Sequence, residues 1–127
     1  MERYPDEKVR RVVAGIIPTL DSKHTNEAFF QAAAMMVLKR LEKKIGIVVL
    51  DTSTLSATRQ YGAPDIIICR AGGEYVAIDL KAGKNDLSTS QQRFRERVIR
   101  AGGKYFVCRT LRHVIDAAVS GDLEPDG

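Results

Sequence analysis

Two apolar, β-branched runs on either side of a glycine pair constrain this chain more than any other stretch. Ile66-Ile67-Ile68-Cys69 leads through Arg70-Ala71-Gly72-Gly73 into Glu74-Tyr75-Val76-Ala77-Ile78-Asp79-Leu80-Lys81. Runs of that length and composition, broken by glycines, read as a β-hairpin. A hairpin commits the chain to a sheet whose faces must then be covered. Side chains two apart share one face of a strand. Asp79 and Lys81 therefore stand together, while Val76, Ile78 and Leu80 take the opposite face. Apolar strands ordinarily keep charge out of their interior. Here an acid and a lysine close the second strand, and Asp65, after Pro64, opens the first across the hairpin. Such a strand end can hold a hard cation next to a phosphate.

The rest of the sequence supplies the cover. Residues 8–17 carry Val9, Val12, Val13, Ile16 and Ile17, the spacing of an amphipathic helix that lies on the core or serves as a subunit contact or a basic arm along DNA, with Pro18 as its stop. A second helix is expected from Thr25 or Asn26, both good N-caps, through the stripe Phe30, Ala34, Val37, Leu38, Leu41 and Ile45, ended by Gly46. Residues 47–50 read as a short strand, and the Ser/Thr-rich stretch 51–60 as a loop with Arg59 and Tyr61 at its end. Ser88 and Gln91 have the spacing of a capping box for a helix whose buried side is Phe94, Val98 and Ala101. Arg93, Arg97 and Arg100 fall on its other faces and read either as the best surface for phosphate contact or as a solvated helix face. A strand over residues 104–108 and a last helix follow, the helix capped by Thr110 and packed through Leu111, Val114, Ile115, Ala118 and Val119. His113 falls off that stripe and reads as a surface residue. This order of elements predicts an α/β fold with a mixed central sheet flanked by helices.

At 127 residues the chain has the size of one domain, 1–127, with an N-terminal helix and linker over 1–24, a core over 25–119 and a frayed tail over 120–127. Apolar residues make up 44% and charged residues 28%, as in soluble globular proteins. No apolar run approaches the ~20 residues of a membrane span, and the charged first residues lack a signal-peptide core. A cytoplasmic protein without membrane contact is expected. The net charge of +4 is compatible with a nucleic-acid partner. Cys69 and Cys108 both fall in predicted strands and read as buried, reduced core thiols. Neither has a His or Cys at zinc-ligand spacing.

Four stretches in order, Glu27 on the early helix, Gly62-Ala63-Pro64-Asp65, Asp79-Leu80-Lys81 and Ser88-Thr89-Ser90-Gln91, resemble the PD-(D/E)xK nuclease superfamily and most closely its VRR-NUC (virus-type replication-repair nuclease) branch. The resemblance spans residues 27–118. Asp79 stands where that branch usually has Glu; the wider superfamily accepts Asp. The resemblance implies a restriction-endonuclease-like αβββαβ core. It also implies a Mg²⁺- or Mn²⁺-dependent endodeoxyribonuclease that hydrolyses phosphodiester bonds in branched or structured DNA, such as junctions or flaps. The alternative is a non-catalytic nucleic-acid-binding or assembly module that kept the fold. Asp65, Asp79, Lys81, Glu27 and Gln91 are then the catalytic set. Asp65, Asp79 and the Leu80 carbonyl are the metal ligands, with Glu27 reaching the ion through a water. Mg²⁺ typically takes one or two carboxylates with other oxygens and waters, which suits that set. Arg59, Tyr61, Lys84, Arg93, Arg97 and Arg100 are the expected DNA contacts. The expected partners are DNA, a second copy of the chain in a homodimer, and a helicase or other replication or repair protein. Gln91 has two readings: helix cap, or site residue beside the acids.

Overall fold

The computed structural model describes residues 4–52 and 62–120. Its elements in chain order are α1 (Glu7–Ala14), a 3₁₀ turn (Ile17–Thr19), α2 (Glu27–Glu42), β1 (Val48–Asp51), β2 (Ile66–Arg70), β3 (Glu74–Leu80), α3 (Thr89–Arg100), β4 (Lys104–Cys108) and α4 (Leu111–Val119). The strands form one sheet in the order β1-β2-β3-β4. The first three are antiparallel neighbours, and β4 lies parallel to β3. The fold is therefore α/β, a mixed four-stranded sheet with flanking helices. From α2 to β4 the order is αβββαβ, with α3 as the crossover that a parallel pair requires.

The hairpin register pairs Ile66 with Ile78 and Arg70 with Glu74. Gly72 and Gly73 make its turn at φ +85° and +81°, a region that side chains with a Cβ rarely enter. Alternation along β3 then sorts the molecule into two unequal layers. Val76, Ile78 and Leu80 join Ile66, Ile68, Phe106 and Cys108 against residues of α1, α2 and α4. On the opposite face the apolar cluster among the described residues is smaller, Ala77, Leu87, Val98, Tyr105 and Val107, with Phe94 partly buried against it. Among the described residues one helix, α3, covers that side.

The thin layer accounts for two departures from the sequence expectations, and the thick side holds a third. Cys69 is exposed, because it stands on the α3 face of β2 beyond the helix's reach; Cys108, on the thick side, is buried. Ala101 is exposed at the C-cap of α3, leaving Val98 as the helix's one buried residue. On the thick side, His113 is half-buried rather than at the surface, set edge-on to Phe106 with centroids 5.9 Å apart.

Helix ends also differ. α1 is capped by Asp6, buries Val9 and Val12, and stops at Ala14 rather than Ile17. Pro18 disfavours α-helical geometry in the residue before it, and the chain tightens there into the 3₁₀ turn, with Ile17 61% exposed. α2 starts at the expected Asn26 cap but ends at Glu42, not at Gly46. The last turn of α2 is tied to β1. Glu42 Oε2 accepts from the Val49 N–H at 2.6 Å, and Lys39 Nζ donates to the Val49 carbonyl at 3.2 Å. β1 is an edge of the sheet, so these side chains occupy backbone groups that no strand pairs with among the described residues. Among the described residues no helix is long and apolar enough to cross a membrane.

Candidate active site

The end of β3 carries Asp79, 1% exposed, and Lys81, 8% exposed, on the face toward α3. Lys81 Nζ lies 3.9 Å from Asp79 Oδ2. Tyr105 Oη also donates to Asp79 Oδ2, at 3.3 Å. The parallel register makes this contact: Ala77 pairs with Tyr105 and Asp79 with Val107, so Tyr105 sits one step back on the same face. A buried tyrosine hydroxyl needs a partner, and Asp79 is the acceptor within reach.

Asp65 arrives from the other arm of the hairpin. Its Oδ2 accepts the Leu80 N–H at 2.8 Å, which fixes the carboxylate against the end of β3. The turn before it is fastened from both sides. Thr52 donates its N–H to the Asp65 carbonyl at 3.0 Å and its hydroxyl to the Pro64 carbonyl. Gly62, at φ +83°, lies against the first turn of α3, where a Cβ would stand 2.5 Å from the Ser90 carbonyl oxygen. The glycine thus brings the Asp65 turn and the N-terminus of α3 into contact.

That N-terminus presents Gln91. Ser88 Oγ accepts the Gln91 N–H at 3.2 Å, and Gln91 Oε1 accepts the Ser88 N–H at 2.8 Å, closing the capping box. The same Oε1 accepts from Lys81 Nζ at 3.1 Å. Gln91 is helix cap and lysine partner at once.

Glu27 is placed differently. It is exposed, and its Oε1 accepts from Asn85 Nδ2 at 3.1 Å and from the Ala82 N–H at 3.4 Å. With the Gly83 N–H donated to the His24 carbonyl at 2.8 Å, Glu27 ties the start of α2 to the loop after β3. Among the described residues, no three His, Cys, Asp or Glu side chains come together as a metal-binding group. Lys84, Arg93, Arg97 and Arg100 are all exposed, Arg97 lying over the Phe94 ring at 5.4 Å. Arg59 and Tyr61 lie outside the described residues.

Burial pushes the Asp79 carboxyl from 3.8 up to about 8, reinforced by Asp65 beside it and opposed by Lys81. Asp65 lies close enough to act on Asp79 directly, and its negative charge disfavours a second one beside it. Asp79 Oδ1 is buried, and no hydrogen-bond donor reaches it among the described residues. A buried, unsatisfied oxygen beside a second carboxylate is the donor set a hard divalent cation accepts. Mg²⁺ completes its shell with waters and needs only one or two carboxylates. The residues present fit such an ion.

Sequence reasoning missed Tyr105 and Asn85. Tyr105 carried a usable signal, a tyrosine in an apolar strand whose hydroxyl must find a polar group, but its partner emerges only once β4 is docked parallel to β3.

No family model matches the chain, and no curated protein does. A solved structure described as a VRR_NUC domain is similar, with a TM-score of 0.54 and 26% identity over 73% of this chain and 94% of that one. The chain has a VRR-NUC-like fold.

Proposed function

We propose that the protein is a metal-dependent DNA endonuclease acting on branched or structured DNA. The observation that carries this reading is Asp79, a buried carboxylate with an unsatisfied oxygen, next to Asp65 and a lysine that a helix cap holds in place. A buried carboxylate oxygen without a donor, next to a second acid, destabilises a fold unless it serves a purpose.

Asp65, Asp79 and the Leu80 carbonyl would hold a Mg²⁺ or Mn²⁺ ion, which activates water and neutralises the phosphate when bound. The protein's own groups do the rest. The Leu80 N–H keeps Asp65 turned toward Asp79, and Tyr105 fixes the rotamer of Asp79. Lys81, a compact cation, offers its ammonium to the charge that develops on the phosphate oxygens, and Gln91 aims it without neutralising it. Glu27 braces the loop that carries Lys84. Lys84, Arg93, Arg97 and Arg100 give exposed positive charge on the α3 side for the DNA backbone. Arg59 and Tyr61 are further proposed contacts. A homodimer fits the open sheet face, where Val48 is 65% and Leu50 45% exposed. A helicase or another replication or repair protein is the proposed wider partner.

The test incubates purified protein with flap, four-way junction, single-stranded and plasmid DNA in Mg²⁺, Mn²⁺ or EDTA. Cleavage is expected with the metals only, and Asp65→Ala, Asp79→Ala and Lys81→Ala should each lower it about 10²-fold or more while remaining folded. Full activity in the Asp79→Ala protein would refute the mechanism.

A further inference from the structure

Between the second half of α3 and the sheet runs an open groove of about 470 Å³, lined by Tyr75, Phe94, Arg97, Val98, Ala101 and Gly103. It shares a sheet face with the acids. Tyr75 precedes Asp79 by four residues of one strand, roughly 13 Å. Phe94 follows Gln91 by three residues of one helix, about 4.5 Å along its axis. The groove therefore begins beside the site and leads away from it. Tyr75 is 36% exposed and Phe94 half-buried, so both rings present surface to solvent. The Arg97 guanidinium lies over Phe94, and Arg93 and Arg100 are exposed on the same helix. Gly103 keeps the floor open: a Cβ there would come within 3.0 Å of the Tyr75 ring and of Val98.

We propose that this groove is a stacking subsite for an unpaired nucleobase of the DNA substrate, lying within a few nucleotides of the scissile phosphate. Aromatic faces interleaved with arginines are the chemistry that holds single strands, the rings taking bases of any sequence and the cations taking the backbone. The groove is rimmed by positive charge, which matches a phosphate backbone. A base inside a duplex is stacked between its neighbours and cannot enter, so the occupant comes from a tail, a flap or the open point of a junction. This inference rests on the nuclease reading and narrows its substrate to DNA with unpaired nucleotides next to the cut.

The experiment measures binding, in Ca²⁺, of a duplex bearing a single-stranded tail from which one base at a time has been removed, alongside the same duplex with blunt ends. For the parent protein, one abasic position is expected to weaken binding by about fivefold to a hundredfold, the range of one stacked base. Ala101→Phe fills the groove from an exposed position without touching the core. It should bind the intact tail only as tightly as the parent binds that abasic tail, and bind the blunt duplex unchanged. Tyr75→Ala should flatten the profile in the same way. A flat abasic profile in the parent overturns the proposal. So does an Ala101→Phe protein that keeps the profile, or one whose only change is its oligomeric state by light scattering, which would make the groove a protein contact. Cleavage in Mn²⁺ separates the two readings: a parent that cuts DNA yet gives a flat profile removes the subsite alone, whereas one that neither binds nor cuts DNA removes the nuclease reading with it.

Discussion

Gln91 serves two neighbours with one oxygen, and that makes it the most informative residue to change. Its Oε1 caps the Ser88 N–H and receives Lys81 Nζ. Glutamate at this position would cap equally well, gain from the helix dipole and draw Lys81 into an ion pair. Gln91→Glu is therefore expected to melt at the same or a higher temperature while its cleavage falls about tenfold or more, because the lysine's charge no longer faces the phosphate alone. Cleavage at the parent rate with subsaturating DNA would show that Lys81 needs no neutral partner. Asp79 makes a prediction in pH. Its folded carboxyl is raised to about 8, so between 3.8 and about 8 the folded protein holds a proton that the unfolded chain has released. Protein without metal should lose stability as pH rises through that window. Asp79→Asn removes the titration, so in EDTA its melting temperature should exceed the parent's by more at pH 8 than at pH 5. A difference of about 1 kcal/mol, a few degrees, is a conservative expectation. Parallel melting curves across that range would show that the acid pair is relieved some other way.

At the scale of elements, the site exists because three segment ends meet: the end of β3, the turn into β2 and the first turn of α3. Gly62 is the point of closest approach. Gly62→Ala would put a Cβ at 2.5 Å from the Ser90 carbonyl and hold a side chain at φ +83°. The expected cost is about 1–3 kcal/mol of stability, together with a drop in cleavage as α3, and Gln91 with it, is pushed off the acids. Thermal melts and cleavage rates of that variant check both. Much of this was legible in the sequence, because the cues were local. Alternation placed Asp79 and Lys81 opposite Val76 and Ile78, and the caps at Asn26, Ser88 and Thr110 stand where short-range spacing puts them. What escaped was set by tertiary contact. Cys69 and Ala101 are exposed because α3 leaves part of its sheet face open, a fact about neighbours rather than about either residue. Tyr105 reaches Asp79 only through a parallel register, and Glu27 meets Asn85 across a sequence separation of 58 residues. The early end of α2 likewise answers to β1, not to Gly46.

Among the described residues the molecule is lopsided, with three helices behind the sheet and one in front, and the front carries both the acid pair and the arginines of α3. Any DNA that reaches the acids must pass this thinly covered side. Binding should weaken steeply with salt, and Arg93→Ala combined with Arg100→Ala should lower the log–log salt slope by about 0.9 per lost contact. An unchanged slope in fluorescence anisotropy would place the DNA elsewhere. The back is finished differently. Glu42 and Lys39 occupy the outward backbone groups of Val49, which a foreign strand would otherwise pair with on β1. This makes α2 the sheet's guard against fibrillar growth, and the guard depends on charge. The Val49 N–H holds the Glu42 carboxyl below its ordinary range, so the contact is present above that range and is lost as acid protonates it. Removing the carboxylate should then open a polymerisation edge in a protein that is otherwise still folded. Glu42→Ala at neutral pH is expected to bind thioflavin and scatter light on gentle warming, at temperatures where the parent stays clear.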